Sequence, residues 1–352
     1  MPRYIAFPDP PNPVRAAIVL VNLGTPAAPT TSAVRRYLAE FLGDPRIVET
    51  PRWLWWLILN GVILRIRPRR SARLYRKVWT EQGSPLQAGT RALAERLHAR
   101  LKQEFGGRVV VRHAMRYGEP SVAATMRELA TMGMRRLLVI PLFPQFSATT
   151  TASVLDAVGA ELRTWRYPPE LRFVNDYYAE PTHIEALARS VEAHWQNNGR
   201  GQRLMLSFHG IPERYVRNGD PYRGQCESTA RLLRERLDLT GDELMLCFQS
   251  RVGREPWLQP YTDKTLEALP GQGVLRIDAM CPGFSIDCLE TLEEIAMEGR
   301  ETFLEAGGER FDYIPSLNDG DDQINALAAL ARRHVQGWPE FESAHAQPVR
   351  PT

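Results

Sequence analysis

Short, unbroken aliphatic runs recur along the whole chain, with amphipathic stretches between them. In the first half they are AAIVLVNLG (Ala16 to Gly24), RVVVRHAMRYG (Arg108 to Gly118), RRLLVIPLFPQ (Arg135 to Gln145) and LRFVNDYY (Leu171 to Tyr178). The second half has RLMLSFHG (Arg203 to Gly210), ELMLCFQS (Glu243 to Ser250), VLRIDAMCPGF (Val274 to Phe284) and FDYIPSLN (Phe311 to Asn318). A strand that is apolar without alternation is buried on both faces, as in a parallel sheet covered by helices on either side. Four runs per half point to two small doubly wound α/β domains rather than one large sheet, and 352 residues accommodate both. The expected boundaries are 14–165 plus 320–338 for the first domain and 166–319 for the second. The stretch Asp321 to His334 goes with the first because the second half offers its apolar face nothing to cover. No GxGxxG follows any run, so a dinucleotide is not expected.

Composition narrows the function classes. A chain 43% hydrophobic and 24% charged is a soluble globular protein. A net charge of +3, with no basic run interleaved with aromatics, argues against nucleic acid as a partner. The start, MPRYIAFPDPPNP, lacks a signal-peptide core and reads as a loose arm; the tail after Trp338 reads as frayed. Cys226, Cys247, Cys281 and Cys288 form no CxxC pair, and idle thiols in a reducing cytoplasm account for them.

One segment is out of keeping with the rest. PRWLWWLILNGVILRIRPRR (Pro51 to Arg70) carries Trp53, Trp55 and Trp56 and stays apolar through Leu57 and Ile58 to Leu64. It then turns basic at Arg65, Arg67, Arg69 and Arg70. It falls short of the roughly 20 apolar residues of a membrane span. Its residues alone fit either a buried helix or a surface lip.

Ligands in open α/β sheets collect at the carboxyl ends of the strands. Those ends here read NLGTP, RYGEP, PLFPQFSATTT, SFHGIP, FQSRVG and MCPGFSID. His209 closes a strand just before Gly210, where backbone approaches closely; a lone histidine is more often structural, but this position sets a chemical role level with a structural one. After MCPGFSID, the acids Asp287, Glu290, Glu294, Glu298, Glu301 and Glu305 recur at three- or four-residue spacing, on one stripe of a helix. Cys288, Leu292, Ile295, Ala296 and Phe303 fall on the other side. A solvated face explains such a stripe, yet no lysine or arginine lies on it to relieve the repulsion. Unpaired carboxylates beside a histidine suit a divalent cation or a proton route. No HExxH, Cys/His quartet or EF-hand is present, so a metal handled here is a substrate rather than a resident ion.

At these residues the chain resembles the ferrochelatases, from about Ala17 to Asn318. The most specific matches are LSFHGIPERYVRNGDPY (Leu206 to Tyr222), SRVGREPWLQPYTD (Ser250 to Asp263) and PGFSIDCLETLEE (Pro282 to Glu294). NLGTP, YRKVWTEQGSPL, MRYGEPS and PLFPQFSATTTAS add support in the same order. The resemblance implies a chelatase-like pair of domains with a porphyrin cleft between them. It implies that His209 and Glu290 hold iron, and that Asp287, Glu294 and Glu298 belong to an acidic row whose helix begins with π-type turns. Leu23, Arg116, Tyr117, Ser250, Trp257 and Phe284 match cleft-lining positions, and Leu23, where coproporphyrin users often have tyrosine, favours protoporphyrin. The segment about 51–70 matches a hydrophobic lip, which would dip into lipid headgroups while its arginines meet anionic lipid.

Porphyrin and ferrous iron are thus the expected substrates, and a cytoplasmic monomer touching the inner membrane face peripherally is the expected state. Animal-type relatives hold a two-iron two-sulfur cluster through an internal cysteine and three near the C-terminus. The internal position here is Ala148, and no cysteine follows His334, so no cluster and no tightly bound cofactor is expected. The alternatives are a coproporphyrin III ferrochelatase and a non-catalytic tetrapyrrole carrier; the carrier has no use for a base and an acid row.

Overall fold

The structure, a computed structural model, describes residues 4–341 apart from 12, 106 and 254. Two four-stranded parallel sheets carry it. The first joins β1 (Ala16–Gly24), β2 (Val109–Tyr117), β3 (Arg136–Pro141) and β4 (Glu170–Phe173) in the order β2-β1-β3-β4. The second joins β5 (Arg203–His209), β6 (Leu244–Gln249), β7 (Arg276–Met280) and β8 (Arg310–Ile314) in the order β6-β5-β7-β8. The same winding is used twice.

Around the first sheet lie α1 (Thr31–Gly43), α2 (Arg52–Ile58), α3 (Leu64–Val78), α4 (Pro85–Phe105), α5 (Val122–Thr131) and α6 (Ser153–Leu162). Around the second lie α7 (Pro181–Asn198), α8 (Glu213–Arg217), α9 (Tyr222–Arg236), α10 (Thr262–Ala268), α11 (Leu289–Thr291) and α12 (Arg300–Glu305). The last helix, α13 (Asp321–His334), returns to the first domain. Side chains on a strand alternate between faces, and β1 shows what that achieves when both are covered. Ala16, Ile18 and Leu20 pack beneath α4 and α13, whereas Ala17, Val19 and Val21 pack beneath α5 and α6. In the second domain Leu204, Leu206 and Phe208 meet α7 and α9, while Met205 and Cys247 meet α10 and α12.

Three expectations need correcting. The strand β4 pairs with β3, from Arg136↔Glu170 to Val139↔Phe173, so the first domain runs past the boundary drawn at residue 165. The N-terminal arm is docked rather than loose: the Ile5 amide donates to the Thr164 carbonyl at 2.8 Å, and Phe7 lies edge-on to Trp165 at 4.7 Å. Chain immediately after Trp338 is ordered as well. Trp338 is buried, and Pro339–Phe341 form a short 3-10 turn that sets the Phe341 ring 4.8 Å from Phe105. The rest of the tail lies outside the described residues.

The tryptophan-rich segment forms a helical run from Arg52 to Val78 with a π-type turn at Leu59–Ile63. Its inner side, with Leu59, Leu64, Ala72, Tyr75 and Val78, packs on Val34, Tyr37 and Leu38 of α1. Its outer side leaves Trp53 71%, Trp56 63%, Leu57 53% and Ile66 69% exposed. Trp55 is half-buried and donates its indole N–H to the Leu42 carbonyl at 2.6 Å, and Ile58 is half-buried too. A core helix would bury all of these. Among the described residues no helix is long and apolar enough to cross a membrane.

Candidate active site

The cleft-forming ends of the two central strands are shaped by glycine. Gly24 has φ +110°, and a Cβ there would sit 1.8 Å from the Tyr117 carbonyl oxygen. Gly210 follows His209, and a Cβ there would lie 2.8 Å from the Gln249 oxygen. Only glycine lets these strand ends lie so close to their neighbours.

His209, at the end of β5, is half-buried between the rings of Trp257 and Phe284, each with its centroid 6.5 Å away. Its Nδ1 lies 2.6 Å from the Gly210 carbonyl oxygen. A carbonyl only accepts, so Nδ1 carries the proton and Nε2 keeps its lone pair. Such a histidine is poised as a base.

The acid row that follows β7 divides by burial and bonding. Asp287 is buried and accepts from Tyr313 Oη (2.6 Å), Asn318 Nδ2 (2.8 Å), Thr291 Oγ1 (3.0 Å) and the Ser316 amide (3.3 Å). It ties the start of the acidic helix to the end of β8, with three donors on Oδ1 and one on Oδ2. Glu290 is half-buried on α11, and its backbone carbonyl is held by Gln249 Nε2 at 2.7 Å. The chain then continues as a π-helix, Leu292–Gly299, of the kind the resemblance implied and of a type frequent at functional sites. Glu294 accepts from the Ser250 amide (2.7 Å), the Ser250 hydroxyl and Gln249 Nε2 (3.2 Å). Burial pushes its carboxyl above the usual range, against the opposing pull of Ser250 and of charge on His209. A carboxyl so raised, beside a base, suits proton exchange. Glu298, Glu301 and Glu305 are exposed.

Pattern reading missed two residues here. Glu293, off the stripe, is buried and bound at 2.7 Å by Lys77 of α3, whose ammonium also feels Glu298 and Glu301. A cation does serve the stripe, but it comes from the lip helix. Gln249 is the other, holding both Glu290 and Glu294. Neither carries a sequence signal, because each works through contacts distant along the chain.

On the first domain's side, Leu23 is half-buried and Arg116 is held by Asp44 at 2.5 Å and by the Ser153 hydroxyl at 2.7 Å. Tyr117 differs from the expectation: it is fully buried, its hydroxyl donating to Asp44 at 2.8 Å. It backs the cleft wall and does not face the cleft. Asp44, depressed in pKa by the Ser153, Arg46, Tyr117 and Arg116 groups despite its burial, anchors this network. The domains are tied together by Arg214–Glu49 (2.5 Å), Tyr215 Oη to the Ile47 carbonyl (3.1 Å) and Asp220 to the Ala148 amide (2.8 Å). All four cysteines are free buried thiols, and no cluster of metal-ligating groups among the described residues includes one.

The family model for ferrochelatase matches residues 15–335. A ferrochelatase of Marinobacter nauticus is 55% identical over 326 residues, covering 93% of this chain and 88% of its own. One of Teredinibacter turnerae is 56% identical over 324 residues, covering 92% and 88%. Among solved structures, the sirohydrochlorin chelatase of Bacillus subtilis subspecies spizizenii in complex with cobalt shares the fold. It has a TM-score of 0.50 at 12% identity, covering 94% of this chain and 98% of that one. A multi-domain Deinococcus radiodurans protein with structural similarity to chelatases reaches 0.52 at 14% identity, covering 94% and 56%. With the paired sheets, the strand-end histidine and the acidic π-helix, these matches establish that the chain belongs to the ferrochelatase family.

Proposed function

We propose that the protein carries out its family's reaction, insertion of ferrous iron into protoporphyrin IX to give protoheme with release of two protons. The observation that carries this reading is His209 at the end of β5, its Nδ1–H held by the Gly210 carbonyl, within electrostatic reach of Glu294 on the acidic π-helix. Metal insertion needs the pyrrole nitrogens stripped of two protons and the ring bent so that their lone pairs face the ion. His209 accepts a pyrrole proton. Glu290 shares the ion with it, and Glu294 and Glu298 form the exit for protons or the entry for iron. Asp287 holds the helix that carries them.

Leu23, Trp257 and Phe284 press on the macrocycle, converting its binding energy into ring distortion. Arg116 and Ser250 border the same space, and Tyr117 supports it from behind. The Trp257 indole N–H is buried and has no hydrogen-bond partner among the described residues. Iron is a substrate in this scheme and no resident cofactor takes part. The protein acts as a monomer in the cytoplasm, with Trp53, Trp56, Leu57 and Ile66 resting on the inner face of the membrane and Trp55 and Ile58 bracing them from beneath. A side-by-side fluorescence assay of Fe(II) insertion into protoporphyrin IX and coproporphyrin III tests the reading. Faster turnover of protoporphyrin is expected, and turnover of neither would overturn it.

A further inference from the structure

We propose that His194, Asp278 and Asp312 form a second site, for a divalent first-row transition-metal ion, on the side of the second domain away from the catalytic strand ends. Asp278 and Asp312 are direct partners on the neighbouring strands β7 and β8. Partners in a parallel pair point to the same face, so two carboxylates stand side by side, an arrangement that is unfavourable unless something positive is shared. His194, near the end of α7, closes over them with Nε2 at 3.9 Å from Asp278 Oδ1 and 4.0 Å from Asp312 Oδ2. The ligand atoms of all three lie within 4.8 Å of one another.

Hydrogen bonding does not account for that spacing. Asp278 is fully buried, and its Oδ2 accepts from Trp195 Nε1 (2.7 Å) and the Gly201 amide (2.8 Å). Its Oδ1 and His194 Nε2 are buried with no hydrogen-bond partner, while Asp312 Oδ2 meets Arg310 as an ion pair. Separations of 3.9 and 4.0 Å are too long for a donor and an acceptor. Two metal–ligand bonds of about 2.1 Å span at most about 4.2 Å, so both separations let His194 share one ion with each carboxylate at a wide angle.

Charge permits an ion without demanding a strong one. Arg310 caps α7 by donating to the Asn198 and Gly199 carbonyls at 3.1 Å each, and its Nε lies 2.9 Å from Asp312 Oδ2. Its Nη2 also lies 3.7 Å from Asp278 Oδ1, so one positive charge is shared between the two carboxylates and one negative charge is left for the metal. One imidazole with two carboxylates is a donor set for zinc, cobalt, manganese or ferrous iron rather than a thiolate site. The Asn198 side-chain nitrogen lies 3.3 Å from His194 Nδ1 and donates to the His194 carbonyl at 3.2 Å, bracing the ring at the end of α7. Asp278 pairs with Leu204, five positions before His209 on β5, which puts the site roughly 16 Å from the catalytic histidine at about 3.3 Å per residue. An ion there does not take part in insertion; it clamps the end of α7 to β7 and β8.

Crystals soaked in Co(II) without porphyrin, measured at the cobalt edge, should show anomalous density between the three side chains. In solution, saturating Co(II) should raise the melting temperature of the wild type and of His209→Ala by roughly 3–5 °C. It should do nothing for His194→Gln or for the half-exposed Asp312→Asn, each compared with its own metal-free melt. Density without anomalous signal, or an equal rise in all four proteins, would overturn the proposal.

Discussion

The two domains repeat one plan and differ at its working end. β1 and β5 are each the second strand of their sheet, and they finish in Leu23-Gly24-Thr25-Pro26 and His209-Gly210-Ile211-Pro212. Beside them β2 and β6 end next to residues with positive φ, Gly118 at 85° and Ser250 at 66°. After β3 and β7 comes a π-type turn in both domains, built of ATTTA in one and LEEIAMEG in the other. The backbone is shared; the chemistry lies in which side chains stand on it. Where the first domain places leucine and threonines, the second places a histidine and carboxylates. The first domain's addition lies elsewhere, in the helical run from Arg52 to Val78 between α1 and α4, where the second domain has only short α8 between β5 and α9. One half supplies a surface and the other a reaction.

The most severe way to break that division is to make the second half resemble the first. His209→Leu should cut insertion by about 10²–10⁴-fold while porphyrin binding, followed by fluorescence quenching, stays within about tenfold. Retention of more than roughly a tenth of the turnover would mean the histidine is structural. Along the acid row the effect should fade with exposure. Glu290→Gln is expected to cost on the order of 10²-fold in kcat and Glu305→Gln less than about twofold, and equal losses at both ends would reduce the row to a wet helix face.

The shared backbone gives a smaller but sharper contrast. Gly24→Ala forces a side chain into a carbonyl at positive φ and should cost more than about 2 kcal/mol in thermal or urea melts. Gly210→Ala faces a milder clash at ordinary φ and should cost less. The reverse order would show that the two strand ends are not built alike. Smallest in stability is the lip. Trp53→Ser with Trp56→Ser should lower recovery on anionic vesicles, while salt weakens the recovery of wild type by screening the arginines, and the melting temperature of the variant moves by no more than about 2 °C. Trp55→Ser, which loses its bond to Leu42, should cost about 1–2 kcal/mol instead. A collapse of the double variant with unchanged vesicle binding would return these tryptophans to the core.

What the sequence revealed follows from what local pattern can encode. Unbroken aliphatic runs report burial on both faces, so both sheets were legible, as was the strand-end position of His209. β4 is the weak case: four residues, the first exposed and the rest half-buried, pair with β3 without the composition of a central strand, and the domain boundary slipped across them. The acid stripe was visible by its spacing. That Asp287 is consumed by Tyr313 and Asn318, and Glu293 neutralised by Lys77 216 positions away, depends on contacts that no periodicity records. Tyr117 sits in a motif of cleft residues yet turns inward, because Asp44 and Ser153 offer its hydroxyl partners beneath the wall.

The returning helix α13 has a consequence for synthesis. Ile324, Leu327, Ala328, Leu330 and Ala331 cover the same face of the first sheet as α4, packing with Ile18, Leu20 and Leu138. A chain emerging from the ribosome makes that sheet early and the helix that seals it last. Throughout translation of the second domain, the first exposes the part of that aliphatic face that α4 leaves to α13. Nascent chains stalled before residue 321 are therefore the species in greatest need of a chaperone, and the second domain can fold to completion before the first.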